Sequence, residues 1–400
     1  MVERFLHRKV LLGVSGSIAA YKAAPLVRAL VQAGAEVQVV MTRAAHDFVT
    51  PLTLATLSGR PVLTELVSGG STWNDHVHLA RWADVFLIAP LSANTLSKMG
   101  HGQCDNLLLA CYLSATCPVF VAPAMDLEMY RDASTHANLD LLRGRNVRTI
   151  GPESGELASG LIGEGRMTEP EDIVRQLHQE LVGQSKLNGK RILISAGPTQ
   201  EPIDPVRYIS NRSSGKMGFA LAEEAAGRGA LVQLVTGPTA QHTTVPGIQR
   251  TDVVTAAQMA EACKAEAATS AVVIMSAAVA DHRPAAPAEG KIKKKDGDLE
   301  LRLEATEDIL AWIGKNKTEG QLVVGFALET SDGLAHAQGK LERKNLDLIV
   351  LNSLEDAGAG FGHDTNKVTL LDRGTKPQQL PLMSKKETAR AILDRIEECL

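Results

Sequence analysis

Lys9-Val10-Leu11-Leu12-Gly13-Val14-Ser15-Gly16-Ser17-Ile18-Ala19-Ala20-Tyr21-Lys22 begins as an apolar run, turns through small residues and enters a stretch of helical periodicity that continues to Gln32. That order predicts a strand, a tight turn and a helix. Gly34 stops the helix, and residues 36–42 form a second apolar run. Residues 84–90 and 118–123 are two more, each ending in proline. Short β-rich runs separated by helical stretches predict parallel βαβ units, and the right-handed crossover rule makes them an open, doubly wound sheet.

The same grammar is written twice. Residues 151–167 are rich in Gly, Ser and Glu and read as a flap or long loop, residues 171–181 as a short amphipathic helix, and residues 183–190 as a polar linker. The pattern then restarts with a strand at 191–195, an irregular loop at 197–215 and a helix at 216–228. Further strands are expected at 231–235, 272–275, 322–326, 346–351 and 368–371, with a closing helix at 383–399. The predicted fold class is α/β, with two doubly wound, Rossmann-like domains at residues 1–184 and 185–400. Residues 284–298, holding four lysines, are expected to form a mobile loop.

Composition narrows the function. Of the 400 residues 44% are apolar and 22% charged, the balance of a soluble globular protein. A net charge of −4 and an aromatic content of 4% supply neither the basic surface nor the stacking platforms of a nucleic-acid binder. The five cysteines stand at no metal-ligand spacing, which predicts reduced thiols. No apolar run approaches the roughly 20 residues that span a bilayer. With no leader-like segment read at the N-terminus, a cytoplasmic location and no membrane partner are expected.

The turn after the first strand can hold an anion. Small residues let backbone N–H groups approach a phosphate, the hydroxyls of Ser15 and Ser17 can donate to it, and the helix start adds positive partial charge. It is neither G-x-G-x-x-G nor a Walker loop. Ala89-Pro90-Leu91-Ser92-Ala93-Asn94-Thr95 and Pro123-Ala124-Met125-Asp126 lie at strand ends, where α/β sheets bind ligands. His76, in Asp75-His76-Val77-His78-Leu79, titrates near neutral pH and suits a general base. Taken alone, the first turn reads as well as an ordinary Gly-rich turn, the two strand-end clusters read as ordinary turns or N-caps, and a lone histidine reads more readily as structural or exposed than as a base.

Together, GSIAAYK after a strand, H-V-x-L, Ser-Ala-Asn and P-A-M before an acidic residue resemble the flavin-dependent cysteine decarboxylases. The resemblance implies FMN between the strand ends, with Gly16 and Ser17 at its phosphate, Thr42 nearby, Ser92 and Asn94 against the flavin, and His76 as the base. It further implies oxidation of a cysteine thiol to a thioaldehyde, loss of carbon dioxide, then reduction and protonation of the enethiolate. Two positions depart from the family pattern: Asp126 stands where many members have Asn, and Ser159 where many have a flap Cys. The last proton is therefore assigned to Ser159 as a relay, to Glu156 or to Asp126.

In the second half, Ala196-Gly197-Pro198-Thr199-Gln200-Glu201-Pro202-Ile203-Asp204-Pro205-Val206-Arg207-Tyr208-Ile209-Ser210-Asn211 runs into Arg212-Ser213-Ser214-Gly215-Lys216-Met217-Gly218. Prolines and paired charges in so long a strand-to-helix loop point to a site, and Ser213 to Gly215 form a second anion cradle. Asp281 ends a strand, Lys291 lies in the lysine-rich loop, and Lys340 and Lys344 share a helix face at i, i+4. From about residue 188 onward the chain resembles phosphopantothenate–cysteine ligases, and the order of the halves resembles the bifunctional bacterial family of coenzyme A biosynthesis. This implies 4′-phosphopantothenate and CTP, with Mg²⁺, reacting to an acyl-cytidylate that cysteine opens. By resemblance, Asn211 stabilises that step and Lys291 covers the nucleotide. Ala277, Asp281, Glu307, Asp308, Ile309, Leu310, Phe326, Lys340 and Lys344 contact CTP. Arg207 is a contact to phosphate or carboxylate by virtue of its guanidinium fork. Small-molecule substrates and a homo-oligomer are the expected partners, since the family forms ligase dimers and decarboxylase trimers.

Two other readings compete. A generic NAD(P) oxidoreductase requires a G-x-G-x-x-G turn with an acidic residue about 20 positions later, which neither opening loop supplies. A flavin-fold scaffold without catalysis is left open for the first half by Asp126 and Ser159.

Overall fold

The first apolar run is a strand over Lys9–Val14, and it pairs in parallel with Glu36–Met41 on one side and Val85–Leu91 on the other. Val10, Leu12 and Val14 pack into one core layer and Leu11 into the opposite one, because successive side chains leave a strand on opposite faces. The computed structural model describes residues 5, 8–68, 72–183, 185–293, 299–329, 333–353 and 363–400. It divides into two units, Met1–Leu181 and Val182–Leu400.

In the first unit the sheet is completed by Val119–Pro123 and Arg148–Thr149, all parallel. Numbered along the chain, the strand order is 2-1-3-4-5. The order reverses between Lys9–Val14 and Val85–Leu91, and at such a switch point the loops diverge and leave a crevice. Helices Ala23–Gln32 and Pro170–Gly183 cover one face, and Ala93–Gly100, Leu107–Ser114 and Ala133–Arg143 the other. Residues 18–22 are a 3₁₀ turn capped by Ser17, so the regular helix begins only at Ala23.

The second unit carries an eight-stranded sheet. Its first six strands in chain order are Arg191–Ala196, Leu231–Thr236, Ile248–Asp252, Val272–Met275, Leu322–Glu329 and Leu348–Ser353. They are parallel in the order 3-2-1-4-5-6. Val368–Asp372 and Gln378–Gln379 extend the edge in antiparallel sense. Helices Lys216–Gly227 and Lys385–Cys399 pack on one face, and Ala256–Ala267, Ile309–Lys315 and Gly333–Arg343 on the other. Here the switch lies between Arg191–Ala196 and Val272–Met275.

Several elements differ from the sequence expectation. The flap at 151–167 is a hairpin of Glu153–Glu156 with Ile162–Arg166. The loop at 197–215 contains a small hairpin, Gln200–Pro202 with Tyr208–Ser210. Ile248–Asp252 is a strand with no apolar run to announce it. Of the lysine-rich loop, residues 294–298 lie outside the described residues. No helix among the described residues is long and apolar enough to cross a membrane.

Candidate active sites

A cleft of about 910 Å³ opens at the switch point of the first unit. Its floor is set by Ser15, which is fully buried: Ser15 Oγ donates to Pro90 O at 2.7 Å and accepts Ser92 N–H at 2.8 Å. Ser15 thus pins the first turn to the third strand and is not available to a phosphate, contrary to the sequence reading. Gly16, Ser17, Thr42, Ser92, Asn94 and Asp126 all line the cleft. A Cβ on residue 16 would stand 2.6 Å from Ala44 Cβ, so only glycine lets the two loops close together. Ser92 caps the helix at Ala93 through Thr95 N–H, which leaves Asn94 exposed on its first turn. Thr42 is 8% exposed, and its Oγ1 is buried with no hydrogen-bond partner. An orphaned buried hydroxyl in the wall of a cleft fits a ligand that accepts a hydrogen bond there.

The flap hairpin forms the other wall. Met125 N–H donates to Gly165 O at 3.0 Å, tying the hairpin to the Pro123–Asp126 loop. Lys22 is buried, and its ammonium donates to Met167 O and Glu169 Oε1, each at 2.9 Å. That ammonium holds the Glu169 carboxyl below its ordinary range. Glu156, Leu157 and Ala158 reach the cleft, whereas Ser159 is exposed at the turn and is not in the lining. His76 also lies outside it, at the start of helix His76–Trp82, which Asp75 caps.

The second unit has a cavity of about 550 Å³ at its own switch point. Asn211, Ala277, Asp281, Glu307, Asp308, Ile309, Leu310, Phe326, Lys340 and Lys344 all line it. Asn211 Nδ2 donates to Val279 O at 2.9 Å and Ala278 O at 3.3 Å. A Cβ on residue 218 would come within 2.5 Å of Ala196 Cβ, so Gly218 lets the helix Lys216–Gly227 start directly against the strand end. Glu307 is taken up by Lys264 at 2.5 Å. Asp308 caps the helix at Ile309 and pairs with Lys344 at 2.6 Å. Desolvation works against the Asp308 charge, but the Lys344 ammonium outweighs it and holds the carboxyl below its usual range. Ile309 and Leu310 line the cavity while their side chains belong to the core layer.

Arg207 and Lys291 do not line this cavity. The carboxylate that Arg207 finds is internal, Asp204 Oδ2 at 2.5 Å. Conversely, Lys216, Asn352, Asn366 and Lys385 do line it and were given no role by the sequence. Lys385 is 8% exposed, and its ammonium donates to His363 O at 2.7 Å and Thr365 O at 3.2 Å. Burial, then the neighbouring Lys216 charge, lowers its pKa. In sequence it is one of two lysines at a helix start and looks solvated. Asn352 had a usable signal, a polar residue at the C-terminal end of an apolar parallel strand. Among the described residues no group of three or more His, Cys, Asp or Glu side chains converges as a metal cage.

Two doubly wound units, each with a cleft at its switch point, define an α/β protein with one candidate site in each unit. A family model for the C-terminal domain of DNA/pantothenate metabolism flavoproteins matches residues 187–400, and a flavoprotein model matches residues 3–182. The chain is 46% identical to the coenzyme A biosynthesis bifunctional protein CoaBC of Vibrio cholerae, over 99% of this chain and all of that one. With the protein of that name from Escherichia coli K12 the identity is 43%, over 97% of this chain and 96% of that one. A prokaryotic protein named cysteine/cysteine sulfinic acid decarboxylase is 50% identical over 87% of this chain and 98% of its own. The chain belongs to the family of bifunctional coenzyme A biosynthesis proteins.

Proposed function

We propose that the second unit joins 4′-phosphopantothenate to cysteine at the expense of CTP, and that the first unit decarboxylates the product, phosphopantothenoylcysteine, with FMN. The observation that carries this reading is the convergence on one cavity of residues scattered from Asn211 to Lys344. In the ligase step a carboxylate oxygen attacks the α-phosphorus of CTP, and the bridging oxygen leaves on pyrophosphate with its electron pair. The amine of cysteine then displaces CMP from the acyl-cytidylate. Charge builds on the leaving group, and fixed positive groups stabilise it. Lys340 and Lys344 stand on one side of the strand ends, and Lys216, Lys385 and the helix start at Lys216 on the other. Mg²⁺ accompanies the triphosphate, needing only one or two carboxylates from protein.

In the first unit Gly16 and Ser17 offer backbone N–H groups to the FMN phosphate and Thr42 Oγ1 its unused donor, while Ser92 and Asn94 serve the ring system. FMN bound there supplies the two-electron oxidation that makes loss of carbon dioxide possible. His76 lies outside the cleft of its own chain, and we assign its base role to delivery from a second copy in a homo-oligomer. Five free cysteines fit a reducing, cytoplasmic compartment.

The test is to incubate the protein with CTP, Mg²⁺, 4′-phosphopantothenate and cysteine and follow product mass. Ligated product that then loses 44 mass units (~44, one CO₂) supports both halves. Ligated product alone leaves the first unit a scaffold, and no CTP-dependent product sinks the ligase. Free cysteine and cysteine sulfinate belong in a parallel arm, because a relative 50% identical bears that name. Carbon dioxide from either one, at rates matching phosphopantothenoylcysteine, would reassign the first unit's substrate.

A further inference from the structure

Asp204 lies in a loop, yet its carboxylate is fully buried. Oδ1 accepts the N–H groups of Val206 and Arg207, each at 2.8 Å. Oδ2 accepts Arg207 Nη1 at 2.5 Å and, from the lysine-rich segment far along the chain, Ile292 N–H at 3.1 Å. Arg207 Nη1 also donates to Ile292 O at 3.3 Å, and Ala288 N–H donates to Ile203 O at 2.9 Å. Ile292 is therefore gripped at both its N–H and its C=O. Burying a carboxylate is costly unless its lone pairs are filled, and one of the donors that fills them comes from the other loop. The ionised carboxylate accordingly favours the docked arrangement over the separated one.

On either side of this clamp stand residues of the ligase reading. Loop 203–207 connects the strands of the small hairpin, Gln200–Pro202 and Tyr208–Ser210, and Asn211 follows directly. Lys291 immediately precedes Ile292. We propose that Asp204 is a positioning residue of the ligase reaction: by gripping Ile292 it fixes the backbone from which Lys291 acts, and couples that loop to the hairpin that presents Asn211. The proposal rests on the ligase reading and on the place of Lys291 in it.

A double-mutant cycle tests it. Pyrophosphate release is measured at saturating CTP and 4′-phosphopantothenate for wild type, Asp204→Asn, Lys291→Gln and the double variant, with CTP affinity by titration. Asp204→Asn turns an acceptor into a donor against backbone N–H groups. The expected result is a kcat loss of ~10-fold or more in each single variant, KM for CTP within about threefold, and a double variant no slower than Lys291→Gln. Ile292→Pro deletes the gripped N–H, fixes φ at 292 and restricts Lys291 before it, and is expected to share the kcat loss and its non-additivity. It carries the test should Asp204→Asn fail to fold. Multiplicative losses in the double variant, or a normal kcat in Asp204→Asn or Ile292→Pro, overturn the proposal. A normal Lys291→Gln overturns it too, while leaving the ligase reading intact provided wild type ligates. Wild type that makes no CTP-dependent product removes the reading itself.

Discussion

Asn211 Nδ2 donates to Val279 O at 2.9 Å, so the loop that follows the small hairpin is held against the segment that follows the fourth strand. The second bond of that nitrogen, to Ala278 O at 3.3 Å, closes the same contact. Asn211→Asp cannot donate and sets a negative charge against two carbonyl dipoles. Amide formation should fall ~10²–10³-fold. Decarboxylation of added phosphopantothenoylcysteine should be unchanged, because it belongs to the other unit. A ligation rate within a few fold of wild type would remove Asn211 from the chemistry.

The unpaired hydroxyl of Thr42 separates a binding role from a packing one. Thr42→Val keeps the shape and deletes a buried donor that lacks a partner. Stripped of flavin, the variant should be as stable as wild type or more so, by up to ~1–3 kcal/mol. Its affinity for FMN should fall by about tenfold. Melting curves with and without FMN read both signs. A variant that is less stable without flavin and binds it normally would show that Thr42 only packs.

Acid should release the clamp at Asp204 late. Desolvation alone would raise its pKa, but the N–H groups of Val206, Ile292 and Arg207 and the guanidinium of Arg207 outweigh it and hold the carboxyl at about 2. An unfolded aspartate titrates near ~3.9. Because the folded value is the lower one, the stabilisation is complete above about pH 4 and is lost as pH falls through about 2. Hydrogen exchange at Ile292 should stay protected from neutral pH down to about pH 4 and rise below it. Loss of protection near pH 6 would assign the control to another group.

The fold was legible where apolar runs are bounded by glycine or proline. Lys9–Val14 and Val272–Met275 have the ends the pattern gives them. Ile248–Asp252 was not legible, because an exposed edge strand written Ile-Gln-Arg-Thr-Asp buries too little to carry a run. The flap hairpin was hidden by glycines that favour neither helix nor strand, and a bond from Met125 N–H to Gly165 O ties it to the neighbouring loop. For the sites, motif residues at strand ends fell on the cavities because parallel sheets open there. Ser15 and Glu201 are the counterexamples. Both sit in motif loops, yet Ser15 pins a strand and Glu201 caps the helix at Ala256. Lys385 shows the reverse, since only packing distinguishes a buried helix-start lysine from a solvated one.

Thiol chemistry should divide the five cysteines by burial. Burial pushes Cys111 and Cys263 up to about 12 and Cys117 to about 11. Cys104 and Cys399 are exposed, and burial of part of its surroundings also raises Cys399. A disulfide reagent at pH 8 should label Cys104 first and Cys399 more slowly, with the other three reacting only in denaturant. Prompt labelling of Cys111 or Cys263, mapped by mass, would mean that a core layer opens in the native protein.

The last proton of the decarboxylase reaction should come from Glu156 and not from Ser159. Both belong to the flap hairpin, three residues apart. Glu156 ends the first strand of the hairpin and lines the cleft, whereas Ser159 lies at the turn outside the lining, its hydroxyl 3.5 Å from Leu161 N. A hydroxyl is in any case a far weaker acid than a thiol, whose unperturbed pKa is about 8.5. Asp126 also lines the cleft, but its Oδ1 accepts Leu127 N–H at 2.7 Å as a helix cap, so its loss should disturb the loop as well as the chemistry. Ser159→Ala is therefore expected to release carbon dioxide and to form the saturated thiol within about twofold of wild type. Glu156→Gln should keep carbon dioxide release while the unsaturated enethiol accumulates, with the reductive half slowed ~10²-fold or more. Product mass separates the two, since enethiol and thiol differ by two hydrogens. If Ser159→Ala accumulates the enethiol and Glu156→Gln does not, the flap must close further than its resting position and the serine, as a relay for water, is the donor.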